Sequence, residues 1–301
     1  SDVVVAGGVE SMSNVEYYTV EGRRGARAGG LMLHDRLTRG RVMSQPIERF
    51  GVISGMIETA ENLARDYGIT REQADAYAVR SHQRAAAAWK NGLFDDELVP
   101  VPVPQRKGDP VIFAHDEGYR ADASMETLGA LKPIDGKTIP GAIVTAGNAS
   151  QQNDAAAACL VVAEDRLEEL GLEPIAWFHS AASAGCDPAR MGIGPVPAVE
   201  RLFARNGLGW GDIDLVELNE AFAPQVLACL KGWGWSADDS RNEILNVNGS
   251  GISLGHPIGA TGGRILANLT RELQRRGGRY GIETMCIGGG QGIAAVFERA
   301  A

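Results

Sequence analysis

Beyond residue 141 the sequence alternates between apolar runs of strand length and longer stretches with helical spacing, and few folds accept that order. Residues 153–164 read as a small-residue helix, Asp154 to Ala158, leading into a strand at Leu160-Val161-Val162. A helix follows near 165–170, and 175–183 reads as strand. Pro197 suits the first turn of a helix that runs to Asn206, with Gly207 behind it. Asp214 to Leu218 is strand, a helix starts near 221, and Ile244 to Val247 is strand again. A helix covers about 259–275, and two closing strands, near 282–287 and 293–298, flank a glycine turn. This alternation predicts an α/β fold with helices covering a mainly parallel sheet. No repeat is short enough for a solenoid.

The first half is less regular. Ser1 to Gly8 reads as a buried strand running into a glycine turn. A domain rarely opens on such a strand, so preceding sequence is expected. Residues 12–56 are irregular and carry Arg23, Arg24, Arg27, Arg36, Arg39 and Arg41. They form either a solvated basic loop or a loop near phosphates. One helix covers about 57–67. In the next, Thr70 with Gln73 three residues on forms a capping box. Ala74, Tyr77, Ala78, Ala85 and Ala88 follow near one stripe, and Gly92 supplies the stop. From 99 to 133, Pro, Asp and Gly between short extended pieces suggest an inserted loop domain.

Composition narrows the function. At 301 residues the chain suggests two or three packed units. A net charge of −9 makes it a poor general nucleic-acid binder. No stretch approaches the roughly 18 apolar residues of a membrane span, and no secretory leader is visible. Cys159, Cys186, Cys229 and Cys286 form no CxxC and no zinc spacing. So few cysteines in so long a chain suggest a reduced, cytoplasmic protein.

Three segments carry chemistry. Asn219-Glu220-Ala221-Phe222-Ala223 lies where a strand gives way to a helix, and open α/β sheets bind ligands there. Asn219 is either a cap residue or a site residue. In Gly255-His256-Pro257-Ile258-Gly259, glycines bracket a His at a predicted helix start. Pro257 stiffens the turn, and the helix N-terminus disfavours a protonated ring. A neutral His suits a thiol-activating base or an oxyanion donor. The glycine frame lacks the Lys of a nucleotide phosphate loop. Cys286-Ile287-Gly288-Gly289-Gly290-Gln291-Gly292 ends a strand on a thiol followed by glycines. Cys286 is either a buried core residue or a reactive thiol beside backbone N–H donors.

NEAFA, GHPIGATGGR and CIGGGQG, in this order, resemble the C-terminal signature of the thiolase family. AGGVESMSN, MIETAEN and VTAGNASQQNDAAAA resemble further thiolase segments, so the likeness covers essentially the whole chain. It implies two similar five-stranded α/β halves with an inserted CoA-binding loop domain. Residues 1–11 and 153–174 would belong to the first half, incomplete here. Residues 12–152 would be the loop domain and 175–301 the second half.

The resemblance also implies roles. His256 would activate the nucleophilic thiol and help bind the thioester oxygen. Cys286 would move the α-carbon proton, Asn219 would hold a water in one oxyanion hole, and the Gly288 amide would serve the second. Ser150 and Ala149 would meet the pantetheine arm. Met56, Met191 and Phe222 would line the acyl side, and Arg120 and Thr127 fall near CoA-contacting positions. No metal and no permanently bound cofactor is implied; CoA and acyl-CoA are substrates.

Two departures stand out. The family's nucleophilic Cys lies before the AGG segment, which starts here at Ala6, and none of the four cysteines has its context. Gly55 stands where biosynthetic members often carry His. The expectation is therefore an acyltransferase completed by a separate N-terminal chain, in a homo- or hetero-oligomer. The alternative is a non-catalytic CoA-binding or assembly subunit.

Overall fold

The computed structural model describes residues 1–26, 28–51 and 54–300, with residues 41 and 42 as backbone only. The strands are β1 (Val3–Ser11), β2 (Tyr17–Tyr18), β3 (His34–Asp35), β4 (Val101–Val103), β5 (Val111–Phe113), β6 (Asp154–Val162), β7 (Ala176–Gly185), β8 (Leu215–Leu218), β9 (Tyr280–Ile287) and β10 (Gln291–Arg299). The helices are α1 (Arg36–Val42), α2 (Ile47–Phe50), α3 (Met56–Asp66), α4 (Arg71–Lys90), α5 (Met125–Gly129), α6 (Leu167–Leu170), α7 (Pro195–Asn206), α8 (Ala223–Gly232), α9 (Gly251–Leu254) and α10 (Thr261–Arg276).

The main sheet has the order β7-β10-β9-β8. Every residue of β8 is buried, and Leu218, Leu245, Ile252 and Ile282 are fully inaccessible in the core. Each such side chain contributes roughly 1.5–3 kcal/mol by leaving water. α4 joins the same core through Tyr77 and Ala78, packed with residues of α7, α8 and the sheet. Its start follows the sequence: the Gln73 N–H donates to Thr70 Oγ1 at 3.2 Å, and the Thr70 N–H donates to Gln73 Oε1 at 3.0 Å. At the start of α7, Gly194 and Gly292 meet backbone to backbone, and a Cβ at either position would collide with the other segment.

Several expectations are corrected. The sheet is not mainly parallel. Only β8 and β9 run parallel, while β9-β10 and β10-β7 are antiparallel. The 288–290 turn causes this, because Gly289 and Gly290 both take positive φ and close a short hairpin. Five-stranded halves are not seen among the described residues; there is one four-stranded sheet and three two-stranded ribbons, β1-β6, β2-β3 and β4-β5. The place of a fifth strand is marked by a single bridge, Val216 to Leu245. The expected strand over Ile244–Val247 is thus a 3-10 turn (Ser240–Ile244) followed by Asn246 at φ +47°.

Asp154 to Ala158 is strand, not helix. β6 pairs residue for residue with β1, from Val3 with Val162 to Ser11 with Asp154. Tertiary pairing overrides alanine's helix preference here. β1 is exposed rather than buried, with Val5 76% accessible.

Two arginines of the basic loop are held locally. Arg36 Nε donates to Glu16 at 2.6 Å, and Arg39 donates to the Tyr18 hydroxyl at 2.6 Å. Both guanidinium groups lie over the Tyr18 ring. Arg23 and Arg24 are exposed; Arg27 and the Arg41 side chain lie outside the described residues. No described helix is long and apolar enough to cross a membrane.

Candidate active site

The site grows from the end of β8. The Asn219 N–H donates to Thr284 O at 3.0 Å, which holds Asn219 against β9. Its side chain is fully buried, and neither amide atom hydrogen-bonds to a described residue. Leaving such a group unsatisfied costs about 1–3 kcal/mol. Proteins keep such groups mainly where something other than the chain takes their hydrogen bonds.

His256 is aimed by its turn. Gly255 has φ +91°, and a Cβ there would run into the Asn153 amide, so only glycine fits. The His256 N–H is shared between Gln151 O at 3.3 Å and Asn153 Oδ1 at 3.2 Å. The half-buried ring places Nδ1 2.7 Å from Thr261 Oγ1, on the first residue of α10. Behind the turn, the Gly259 N–H donates to Glu10 Oε2 at 3.1 Å, and Gly8 packs against the Gly259 carbonyl.

Cys286 is the penultimate residue of β9. It is buried with Met191 and Ala221, and Met56 and Phe222 pack on the same cluster. Burial pushes its thiol up to about 12. Gly288 is exposed two residues on, and Gly290 O accepts from the Cys186 N–H at 2.8 Å, pinning the glycine turn to the end of β7. Burial also raises the other three thiols, Cys186 to about 11, so none of the four is primed as a thiolate.

An extended segment ties these loops together. Ala149 bridges Phe222, the Ser150 N–H donates to Ala221 O at 2.9 Å, and the Ala223 N–H donates to Asn148 O at 2.8 Å. Gln151 then accepts from His256 and donates to Gly118 O at 2.7 Å. Met56, Met191, Phe222 and Cys286 thus share one apolar cluster, Ala149 and Ser150 pair with Phe222 and Ala221 next to Asn219, and Gln151 links this segment to His256.

Arg120 and Thr127 are not drawn into this cluster. The Arg120 guanidinium folds back onto Glu117 O and Gly118 O, and the Arg120 backbone N–H donates to His82 Nδ1 at 3.2 Å. Thr127 spends its polar groups capping α5 with Ser124. Sequence reasoning missed Gln151, Asn153, Thr261 and Glu220. Glu220 stood inside NEAFA, and a charged residue at the end of a buried strand was the available signal. Among the described residues no cluster of His, Cys, Asp or Glu could hold a metal ion.

Residues 1–165 match the profile of the thiolase N-terminal domain, and residues 172–299 match that of the thiolase C-terminal domain. The chain belongs to the thiolase family. A thiolase relative, the acetyl-CoA acetyltransferase of Chromobacterium violaceum, is 47% identical over 99% of this chain and 73% of its own length. The beta-ketothiolase of Cupriavidus necator is 48% identical over 99% of this chain and 72% of its own. Among solved thiolases, the acetyl-CoA acetyltransferase of Bacillus anthracis superposes with a TM-score of 0.91 at 43% identity, covering all of this chain and 72% of the other. Human mitochondrial 3-ketoacyl-CoA thiolase in complex with CoA gives 0.89 at 40%, with the same coverage. The N-terminal profile is matched over residues 1–165, the chain spans 72–73% of these relatives' own length, and a separate N-terminal chain is not shown by these comparisons.

Proposed function

We propose that this thiolase catalyses acyl transfer at CoA thioesters, by thiolysis of a 3-ketoacyl-CoA or by the reverse Claisen condensation. In thiolysis the acyl group passes to a nucleophilic thiol other than these four cysteines and then to the CoA thiol, as the C–C bond breaks and the acetyl-CoA enolate leaves. The observation that carries this reading is the fully buried Asn219 amide, which has no hydrogen-bond partner among the described residues, at the end of β8 beside the Cys286 strand. An enolate oxygen needs donors that are already in place, and removing one such donor typically costs about 100- to 1,000-fold in kcat. A water held by Asn219, together with His256, supplies that hole. Cys286 carries the proton to or from the α-carbon; a thiol pushed up to about 12 keeps its proton at neutral pH, the form that protonates carbon during cleavage. The Gly288 amide serves a second oxyanion. Met56, Met191 and Phe222 form the acyl side, while Ser150 and Ala149 line the approach of the CoA arm. CoA is a substrate, consistent with the human relative solved with CoA.

Residues 12–152 act as the CoA-facing loop domain in this reading, with Arg120 and Thr127 at its rim. The four free cysteines fit a reducing, cytoplasmic setting. Exposed Val5, Val9 and Leu160 on the β1-β6 ribbon support an oligomer. A non-catalytic CoA-binding or assembly subunit is favoured by the raised state of all four thiols and by the lack, among these four cysteines, of the family's nucleophile context. It gives no reason to keep the Asn219 amide buried and unpaired.

The test is thiolysis of acetoacetyl-CoA by the purified protein, followed as loss of 3-ketoacyl-CoA absorbance. Turnover that needs both CoA and His256 supports the reading. CoA binding without turnover or α-hydrogen exchange favours the non-catalytic alternative.

A further inference from the structure

One buried carboxylate joins the candidate site's two loops to the long helix behind them. Glu220 Oε1 accepts from the Tyr77 hydroxyl at 2.9 Å and from Asn246 Nδ2 at 3.0 Å. Its Oε2 accepts from the Ser81 hydroxyl at 2.6 Å and from the Ile252 N–H at 3.2 Å. Four donors match the roughly four lone-pair positions of a carboxylate. They come from α4, from the turn after Leu245 and from α9, all in the interior.

We propose that Glu220 is a positioning residue that sets Asn219 and the His256 turn in one fixed relation, deepening the acyl-transfer reading on which it rests. Glu220 is bonded to Asn219 through the chain and to α9 through the Ile252 N–H. α9 ends at Leu254, next to Gly255 and His256. At the start of α9 the fit is close. A Cβ on Gly251 would lie 2.8 Å from Asn219 Oδ1 and 2.7 Å from Glu220 O. Moving Glu220 therefore moves both the Asn219 amide and the segment that delivers the histidine.

The geometry requires a carboxylate rather than an amide. Ile252 offers a backbone N–H that cannot reverse. Asn246 is equally fixed, because its Oδ1 accepts from the Leu218 N–H at 2.8 Å and its Nδ2 donates to Leu218 O at 2.8 Å. One fixed donor faces each Glu220 oxygen, so Gln at 220 must turn its NH2 towards one of them in either orientation. Tyr77 and Ser81 are different, since their hydroxyls rotate. Removing either leaves each oxygen with its fixed donor.

The test compares wild type, Glu220→Gln, Tyr77→Phe, Ser81→Ala and Glu217→Gln. Two readouts are used: thiolysis kinetics, and hydrogen exchange by mass spectrometry over peptides 216–222 and 249–258. Glu217 is the control. It lies on β8, three residues before Glu220, and is buried; burial raises its carboxyl well above the usual range, so Gln mimics its protonated form, and the amide oxygen still accepts from the Ser250 hydroxyl, 3.5 Å away. The expected result for Glu220→Gln is faster exchange in both peptides together. Its kcat should fall roughly 10- to 100-fold while KM for CoA stays within about twofold, as for a network that holds donors without touching substrate. Tyr77→Phe and Ser81→Ala should shift both readouts the same way by about two- to fivefold, and Glu217→Gln should shift neither.

Unchanged exchange in either peptide overturns the proposal, as does unchanged kcat in an active protein. If Glu220→Gln does not fold, the two hydroxyl variants decide by the same criteria. An inactive wild type would instead sink the acyl-transfer reading. Coupled exchange of the two peptides would then still decide the role of Glu220.

Discussion

Thr261 Oγ1 lies 2.7 Å from His256 Nδ1, so the first residue of α10 fixes the ring plane of the candidate base. Thr261 is fully buried, and α10 packs on the main sheet through Leu269 and Leu273. The histidine is thus anchored through its ring to a core helix and through its backbone to Gln151 and Asn153.

Thr261→Val keeps the shape and removes the hydroxyl. Losing one hydrogen bond of this kind is worth about 1 kcal/mol. The expected outcome is a fall in kcat of about fivefold with little change in melting temperature, measured by steady-state thiolysis. A variant with wild-type kcat would mean that the contact does not orient the ring.

Gly255→Ala tests the turn itself. The position combines φ +91° with a neighbour, Asn153, that leaves no room for a Cβ. Strain in this region costs of order 1–3 kcal/mol. Thermal denaturation should show lost stability of that size, and kcat should fall at least about tenfold because His256 is the next residue.

His82 sets a pH dependence. Burial, reinforced by the Arg120 charge and only partly offset by Asp122, lowers its pKa to about 4 from the usual 6.5, while Nδ1 accepts from the Arg120 N–H. Between those two values the unfolded chain takes up a proton that the folded chain refuses, so stability falls as pH drops from 6.5 towards 4. The loss from this group is at most roughly 3 kcal/mol. Urea melts at pH 7 and pH 4.5 should show it. His82→Gln, whose amide oxygen can accept the same N–H, should flatten the acid limb; an equally steep limb in the variant would place the effect elsewhere.

Much of this site was legible in the sequence because its residues sit in tight local frames. Gly255 and Gly289 announce turns that only glycine makes, and the Cys286 strand and the His256 helix start fall where their patterns predict. What escaped was long-range. Asp154 to Ala158 carries a helix former's composition, yet pairs with β1 across more than 140 residues of chain. The antiparallel β9-β10 hairpin looked like part of a parallel sheet because an alternating pattern carries no strand direction. Glu220 was quoted within its motif and passed over, since its four partners lie at least 26 residues away in sequence.

The most direct measurement is exchange of solvent deuterium into the acetyl group of acetyl-CoA, followed by mass spectrometry for wild type and Cys286→Ala. If Cys286 moves the α-carbon proton, wild type incorporates deuterium and the variant does so at least about 100-fold more slowly, as expected for loss of a positioned acid–base group. Incorporation by Cys286→Ala at the wild-type rate, or none by wild type, would contradict the account.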